Sequence, residues 1–357
     1  MPGILEQDLD AALARTRNLW TELSGSRLLL TGSTGFVGTL LLESVAHARV
    51  RTGADLRVVA LARDPRRLRE RLPWTSTARW LQVVRGDTRT FAPPAGALDF
   101  AVHAANTGSP AEIAADPEGV AHMVVDGSLH VRDVAAAAGA RRMLQLSSGS
   151  VYGAHFVPAP PIAEDDPGRP DGSDGASRLA LAKREAERRL LVSSSPDMPA
   201  IMIARGFALC GPWLPLDYSF AFGNFLGAAL RREPIRVTGD GTPVRSFLYA
   251  SDLVVWLWTI LTRGSGGRGY NVGSEHAISI GDLAHRVAAR LGGTVQLGET
   301  PVPDKPAHWH VPSIARARDE LGLEETVPID DAIVRTARWW AERAGRTNFE
   351  AKGNEWP

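Results

Sequence analysis

Two short runs in this chain carry residue types whose spacing can do chemistry. The first is Thr31-Gly32-Ser33-Thr34-Gly35-Phe36-Val37-Gly38, with glycine at every third position. An apolar stretch precedes it and a helical one follows. A helix opening there leaves backbone N–H groups without internal partners, and the helix dipole adds positive potential to them. That arrangement cradles a diphosphate. Gly32 permits the tight turn, Gly35 lets the backbone approach the ligand, and Gly38 lets the helix pack closely. Thr34, Phe36 and Val37 lie in the same turn and are read with it. The glycine pattern alone is weak, and its place between strand and helix gives it weight. The second run, Arg63-Asp64-Pro65-Arg66-Arg67, ends the next strand. A dinucleotide site that prefers a free 2′-hydroxyl usually has an acid there. Arg63, assisted by Arg66 or Arg67, suits a 2′-phosphate instead. The expected cofactor is a dinucleotide, NADP(H) favoured and NAD(H) possible.

These groups need a scaffold, and the hydrophobic pattern supplies one. An amphipathic helix is predicted over 8–23, with Leu9, Leu13, Leu19, Trp20 and Leu23 on one face, ended by Ser24-Gly25-Ser26. Short apolar runs at 27–31, 56–62, 81–84, 100–103, 143–147 and 200–209 read as strands. Helical patterns at 39–47, 121–138 and 177–192 alternate with them. The alternation predicts an α/β fold, a Rossmann-type doubly wound parallel sheet with right-handed crossovers. Residues 157–176 form a long Pro/Gly/Asp/Ser loop. From about 211 the composition shifts to mixed aromatic, Gly and Pro residues, which suggests a smaller C-terminal α/β substrate lobe. The expected division is a helical extension at 1–26, a dinucleotide-binding domain at 27–210 with 242–262 returning to it, and a second lobe within 211–357.

Composition excludes several classes. Forty basic and forty acidic residues among 357 cancel, so no global field draws the chain to nucleic acid or to an anionic membrane. Cys210 is the single cysteine, which rules out an intrachain disulfide and a cysteine zinc site. We expect a cytoplasmic protein with no metal. His308 and His310 have a spacing that could bind one, but no further ligands accompany them, and they are read as bordering a nucleotide site or the surface. No stretch of 18 apolar residues is present, and the N-terminus lacks signal-peptide character.

The glycine run belongs to a longer set of pieces. These are Gly86-Asp87, DFAVHAA at 99–105, SSGSVYG at 147–153, Lys183 with Glu187, Arg205 followed by Gly211-Pro212, GDGTPVRSFLYASDL at 239–253 and YNVGS at 270–274. Taken together they resemble the extended short-chain dehydrogenase/reductase family, in its nucleotide-sugar epimerase/dehydratase branch, from about residue 27 to 340. The resemblance implies that Asp87 contacts adenine and that Ala104 and Ala105 line the cofactor. It implies that Ser148 is the active-site hydroxyl, which also meets substrate, and that Lys183 holds the nicotinamide ribose. Arg245 would grip the diphosphate of a nucleotide diphosphate sugar, helped by Asn224. It also implies a homodimer paired through two helices beside the site.

Three departures matter. The family places a tyrosine four residues before the lysine, where the lysine depresses its pKa for proton transfer. Here that position is Leu179, which moves no proton. The 4,6-dehydratases carry an Asp-Glu pair where this chain has Gly149-Ser150. Val124 stands where many relatives have asparagine. Tyr152 is therefore a candidate acid/base, and His155, Glu164, Asp165, Asp166 and Asp174 lie near enough in sequence to be others. Substrate groups or water could instead carry the proton, with Lys183 doing electrostatic work. The expected function is NAD(P)-dependent 4-keto reduction or epimerisation of a nucleotide-activated sugar, with 4,6-dehydration disfavoured. The competing reading is a catalytically silent dinucleotide or sugar-nucleotide binder.

Overall fold

Strands as uniformly apolar as Leu28-Leu29-Leu30 can be stable only when both faces are covered. The computed structural model describes residues 3–105, 110–192, 197–217, 220–302 and 306–345, and it covers them in this way. Seven strands form one sheet: β1 (Arg27–Thr31), β2 (Arg57–Ala62), β3 (Leu81–Arg85), β4 (Phe100–His103), β5 (Arg142–Ser148), β6 (Ala200–Gly206) and β7 (Arg268–Val272). Their order is β7-β6-β5-β4-β1-β2-β3, and every pairing is parallel. The strand order reverses beside β1, which opens a crevice at the carboxyl ends of β1 and β4, the usual ligand position in such sheets.

Nine helices matter for the argument: α1 (Ile4–Leu23), α2 (Phe36–Thr52), α3 (Pro65–Arg71), α4 (Pro117–Ala137), α5 (Gly175–Val192), α6 (Ala221–Arg231), α7 (Ala250–Arg263), α8 (Ile280–Leu291) and α9 (Ile329–Arg343). On one face of the sheet α4 and α5 pack together, with Val131, Val134 and Leu190 buried against Met143 and Ile203. On the other, α1, α2 and α7 bury Trp20, Leu40, Leu41, Trp256 and Trp258. Helices α6, α8 and α9 enclose a second core around Phe222, Phe225, Phe247 and Leu283.

The structure corrects two details of the sequence reading. The apolar run at 200–209 is not one strand. Strand β6 stops at Gly206, and Ala208–Cys210 pairs in parallel with Phe247–Tyr249 in a separate small sheet. The break falls at Phe207, whose ring leaves the sheet to join Val151, Tyr152 and Ile162 in a cluster of their own. Helix α1 begins at Ile4, four residues earlier than its amphipathic pattern indicates. Its first turn is held by α9, because Glu342 accepts from the Ile4 N–H at 3.3 Å.

Two buried carboxylates fasten α1 to distant elements. Asp8, 3% exposed, pairs with Arg335 at 2.9 Å and accepts from the Tyr249 hydroxyl at 2.6 Å. Asp252, fully buried, pairs with Arg15 and accepts from the Thr326 N–H at 2.8 Å. Among the described residues, no helix is long and apolar enough to cross a membrane. Asp8→Ala would strand the Arg335 charge and the Tyr249 hydroxyl, so we expect a loss of about 3 kcal/mol of stability. Urea denaturation measures it, and a loss below about 1 kcal/mol would mean that the clamp is energetically idle.

Candidate functional site

The site begins where the chain touches itself backbone to backbone. Gly32 has φ of 72°, and a Cβ on it would sit 2.4 Å from the carbonyl of Ala104 and from the Ala105 nitrogen. A Cβ on Gly38 would sit 2.2 Å from the Gly32 oxygen. Only glycine at these two positions lets the β1–α2 turn lie against the end of β4. The Gly35 N–H donates to the Gly32 carbonyl at 3.0 Å, and the Ser33 hydroxyl donates to the Leu61 carbonyl at 3.0 Å, which pins the turn to β2. Helix α2 opens at Phe36 on a glycine cap, so no side chain takes up its first N–H groups. Phe36 itself packs against both hydrophobic cores. Gly32, Thr34, Gly35, Phe36, Val37, Gly38, Ala104 and Ala105 thus meet at one end of the sheet, and the cradle they form fits a dinucleotide diphosphate.

Arg63 is exposed one residue beyond β2. Asp87, two residues beyond β3, is hydrogen-bonded by the Arg89 guanidinium at 2.9 and 3.1 Å. Those bonds hold the Asp87 carboxyl below the usual carboxylate range, and the Arg63 charge adds to the effect. The two residues therefore share one edge of the crevice.

Ser148 ends β5, its hydroxyl accepting from the Ser150 N–H at 3.1 Å. Lys183 on α5 is 6% exposed, and burial pushes its ammonium down to about 8, with Glu187 opposing the shift. It lines a small recess with Val124, Gln145, Leu146, Ser147, Ala186 and Glu187. In that recess Gln145 Oε1 and the Ser147 hydroxyl have no hydrogen-bond partner among the described residues. Beneath it lies a residue that sequence reading passed over. His103, at the end of β4, bonds Thr31 Oγ1 at 2.6 Å and is pushed down to about 3 by burial and by the Lys183 charge. Its position inside an apolar strand gave no chemical signal.

The candidates for the missing phenol have other occupations. Tyr152 is 1% exposed. Its hydroxyl donates to Asn271 Oδ1 at 2.7 Å and accepts from Arg205 Nη1 at 2.8 Å, and burial pushes it up to about 12. The structure brings it into a framework rather than into an open cleft. Glu164 accepts from the Asn271 N–H at 2.9 Å. Asp166 bonds His155 at 3.1 Å, Asp174 accepts from the Ser177 N–H at 2.7 Å, and Asp165 is exposed. Leu179 is half-buried on α5, one turn before Lys183.

On the C-terminal side, Arg245 lies on the short strand Val244–Arg245, half-buried, and Asn224 is exposed on α6. A separate cavity of about 410 Å³, walled by Arg71, Trp213, Arg231, Trp340 and Arg343, lies next to the glycine turn but does not include Ser148 or Lys183. Asp217 also lines that cavity, beside its three arginines.

A buried lysine with a lowered pKa makes a pH test. The unfolded chain keeps its lysine protons up to about 10.5, so between about pH 8 and 10.5 it holds more protons than the native state. Stability from this group therefore rises with pH across that window. Lys183→Met should remove the rise in urea denaturation. The chain has only three lysines, Lys183, Lys305 and Lys352, so NMR of the ammonium groups resolves each one. A Lys183 signal titrating at 10.5 would place the ammonium in solvent.

Comparison with known proteins bears on the family and the fold. A model of the NAD dependent epimerase/dehydratase family matches residues 28–273. UDP-glucuronic acid decarboxylase 2 of Arabidopsis thaliana is 28% identical over 309 residues, which is 87% of this chain and 67% of the relative. The UDP-glucose 4-epimerase of Thermotoga maritima superposes with a TM-score of 0.74 at 18% identity, over 89% of this chain and 99% of that one. The dTDP-glucose 4,6-dehydratase of Streptomyces venezuelae, solved with NAD, gives 0.74 at 23% identity, over 89% and 98%. At these identities the two structures bear on the fold alone.

Proposed function

The chain belongs to the NAD dependent epimerase/dehydratase family, and from that premise we propose that it reduces or epimerises a nucleotide diphosphate sugar at a 4-keto centre. The observation that carries the reading is the meeting of the glycine cradle, Ser148 and buried Lys183 at one end of the sheet. A bound nicotinamide would supply the hydride acceptor or donor. Lys183 would hold its ribose through the ammonium, which is charged up to about pH 8. Ser148 would hydrogen-bond the reacting sugar oxygen. The planar fork of Arg245 suits two diphosphate oxygens. Gly149 and Ser150 put no carboxylate on the turn after Ser148, which disfavours 4,6-dehydration by an Asp-Glu pair. Support for the substrate class comes from the relatives, which act on UDP- and dTDP-linked sugars.

NADP(H) is the favoured cofactor in this reading, with NAD(H) possible, because Arg63 is exposed where a 2′-phosphate would lie. A cytoplasmic location belongs to the same reading. So does a homodimer through α4 and α5, where Leu181 and Val192 are exposed. The second reading, a silent binder, is favoured by one observation. Leu179 offers no phenol and the Tyr152 hydroxyl is already engaged.

Turnover separates the two readings. Incubation with UDP- and dTDP-sugars and their 4-keto forms, with deuterated NADPH or NADH, should give a product carrying deuterium or an inverted centre. No product from any pairing, with dinucleotide bound, would leave the silent reading. Arg63→Ala should weaken NADPH by about 10- to 100-fold and leave NADH nearly unchanged, since one charge-assisted contact is lost. Fluorescence titration checks it, and equal losses for both cofactors would remove Arg63 from the 2′ position.

A further inference from the structure

The turn after Ser148 opens on Gly149, which has no side chain, and a residue from far along the chain fills the space. A Cβ on Gly149 would lie 2.9 Å from His310 Nε2 and 2.8 Å from the Phe207 ring. His310 comes from the strand His308–His310, and its ring tilts against Phe207 with centroids 4.6 Å apart. That strand runs parallel to Val244–Arg245, with His310 as the register partner of Arg245. One imidazole thus stands between the end of β5, where Ser148 sits, and the guanidinium assigned to the diphosphate. A sugar bridging those two points passes it.

Its electrical surroundings are defined. Burial, Arg245 and His155 together hold the His310 imidazole at about 3. His155 is itself bonded to Asp166 at 3.1 Å. The ring is neutral near pH 7, with one nitrogen free to accept a proton. An anion seated on Arg245 would cancel one of the charges that suppress its basicity.

We propose that His310 carries the proton for the reacting sugar hydroxyl, in place of the phenol absent at Leu179. The proposal rests on the nucleotide-sugar reading above. In the oxidative direction the hydroxyl O–H bond breaks and its proton passes to His310 Nε2. A bound oxidised nicotinamide would accept the electron pair of the neighbouring C–H bond as hydride, which leaves the carbinol carbon a carbonyl. Reduction runs the same transfers backwards. A seated diphosphate would offset the Arg245 charge that faces His310, while burial, the larger cause of its low basicity, stays in place.

His310→Ala and His310→Gln should each lower turnover by about 100-fold or more, the usual worth of a positioned acid/base. NADPH affinity by fluorescence should stay within about two-fold of wild type, which also reports folding. Added imidazole should restore part of the activity to His310→Ala but not to His310→Gln, where the space is filled. Gly149→Ala, whose methyl must displace the ring or Phe207, should lower turnover with the same cofactor affinity. In ¹⁵N spectra, UDP-glucose should shift the His310 ring signals more than UDP alone does. Wild-type turnover in either His310 variant, or His310 signals unmoved by bound UDP-glucose, would overturn the proposal and leave the nucleotide-sugar reading standing. If the wild-type protein binds and converts no nucleotide sugar, that reading falls and this one with it.

Discussion

One guanidinium, that of Arg205 at the end of β6, keeps the parts of the site in register. It pairs with Glu187 at 2.8 Å, donates to the Tyr152 hydroxyl at 2.8 Å and donates to the Glu164 carbonyl at 3.0 Å. Tyr152 passes the connection to Asn271 on β7, whose amide donates to the Ile162 carbonyl at 2.8 Å. Helix α5, two strand ends and the 157–176 loop are thereby bound through one mostly buried network. A buried pair of this kind is stable only when its remaining donors are satisfied. Here the neighbouring hydroxyl and carbonyl satisfy them. Glu187 stands one turn after Lys183 on α5, but Arg205 holds its carboxylate. Its support for the Lys183 charge is therefore partial, which is why burial dominates the behaviour of that lysine.

Local pattern made the frame legible. Apolar runs marked six of the seven sheet strands, and the glycine spacing marked the turn between β1 and α2. Both signals come from neighbours in sequence. Strand β7 escaped because Arg268, Gly269 and Asn271 are poor strand formers. It is a strand because β6 offers it a ladder, and no window of sequence contains that ladder. The long 200–209 run misled for the opposite reason. Its hydrophobicity is continuous, but Phe207 serves a different cluster.

The site residues divide in the same way. Those on the cradle could be read because their backbone demands are local. The fate of Tyr152 could not, since its partners are Arg205 and Asn271, 53 and 119 residues away. His310 was visible as a histidine beside another, with nothing to say which turn it would face. The glycine turn meets its backbone requirements, while Leu179 stands one turn before Lys183. In the proposed function, cofactor holding and proton handling are separable because the first depends on glycines and the second on a few side-chain tips.

Helix α1 shows what a long-range clamp asks of a growing chain. Asp8 is made 327 residues before Arg335, its ion-pair partner. Until α9 has been made, the apolar stripe of Leu9, Leu19, Trp20 and Leu23 can pack on α2, but it cannot be locked. Helix α9 therefore acts as a seal on α1, and native burial of Asp8 becomes a signal that α9 has docked.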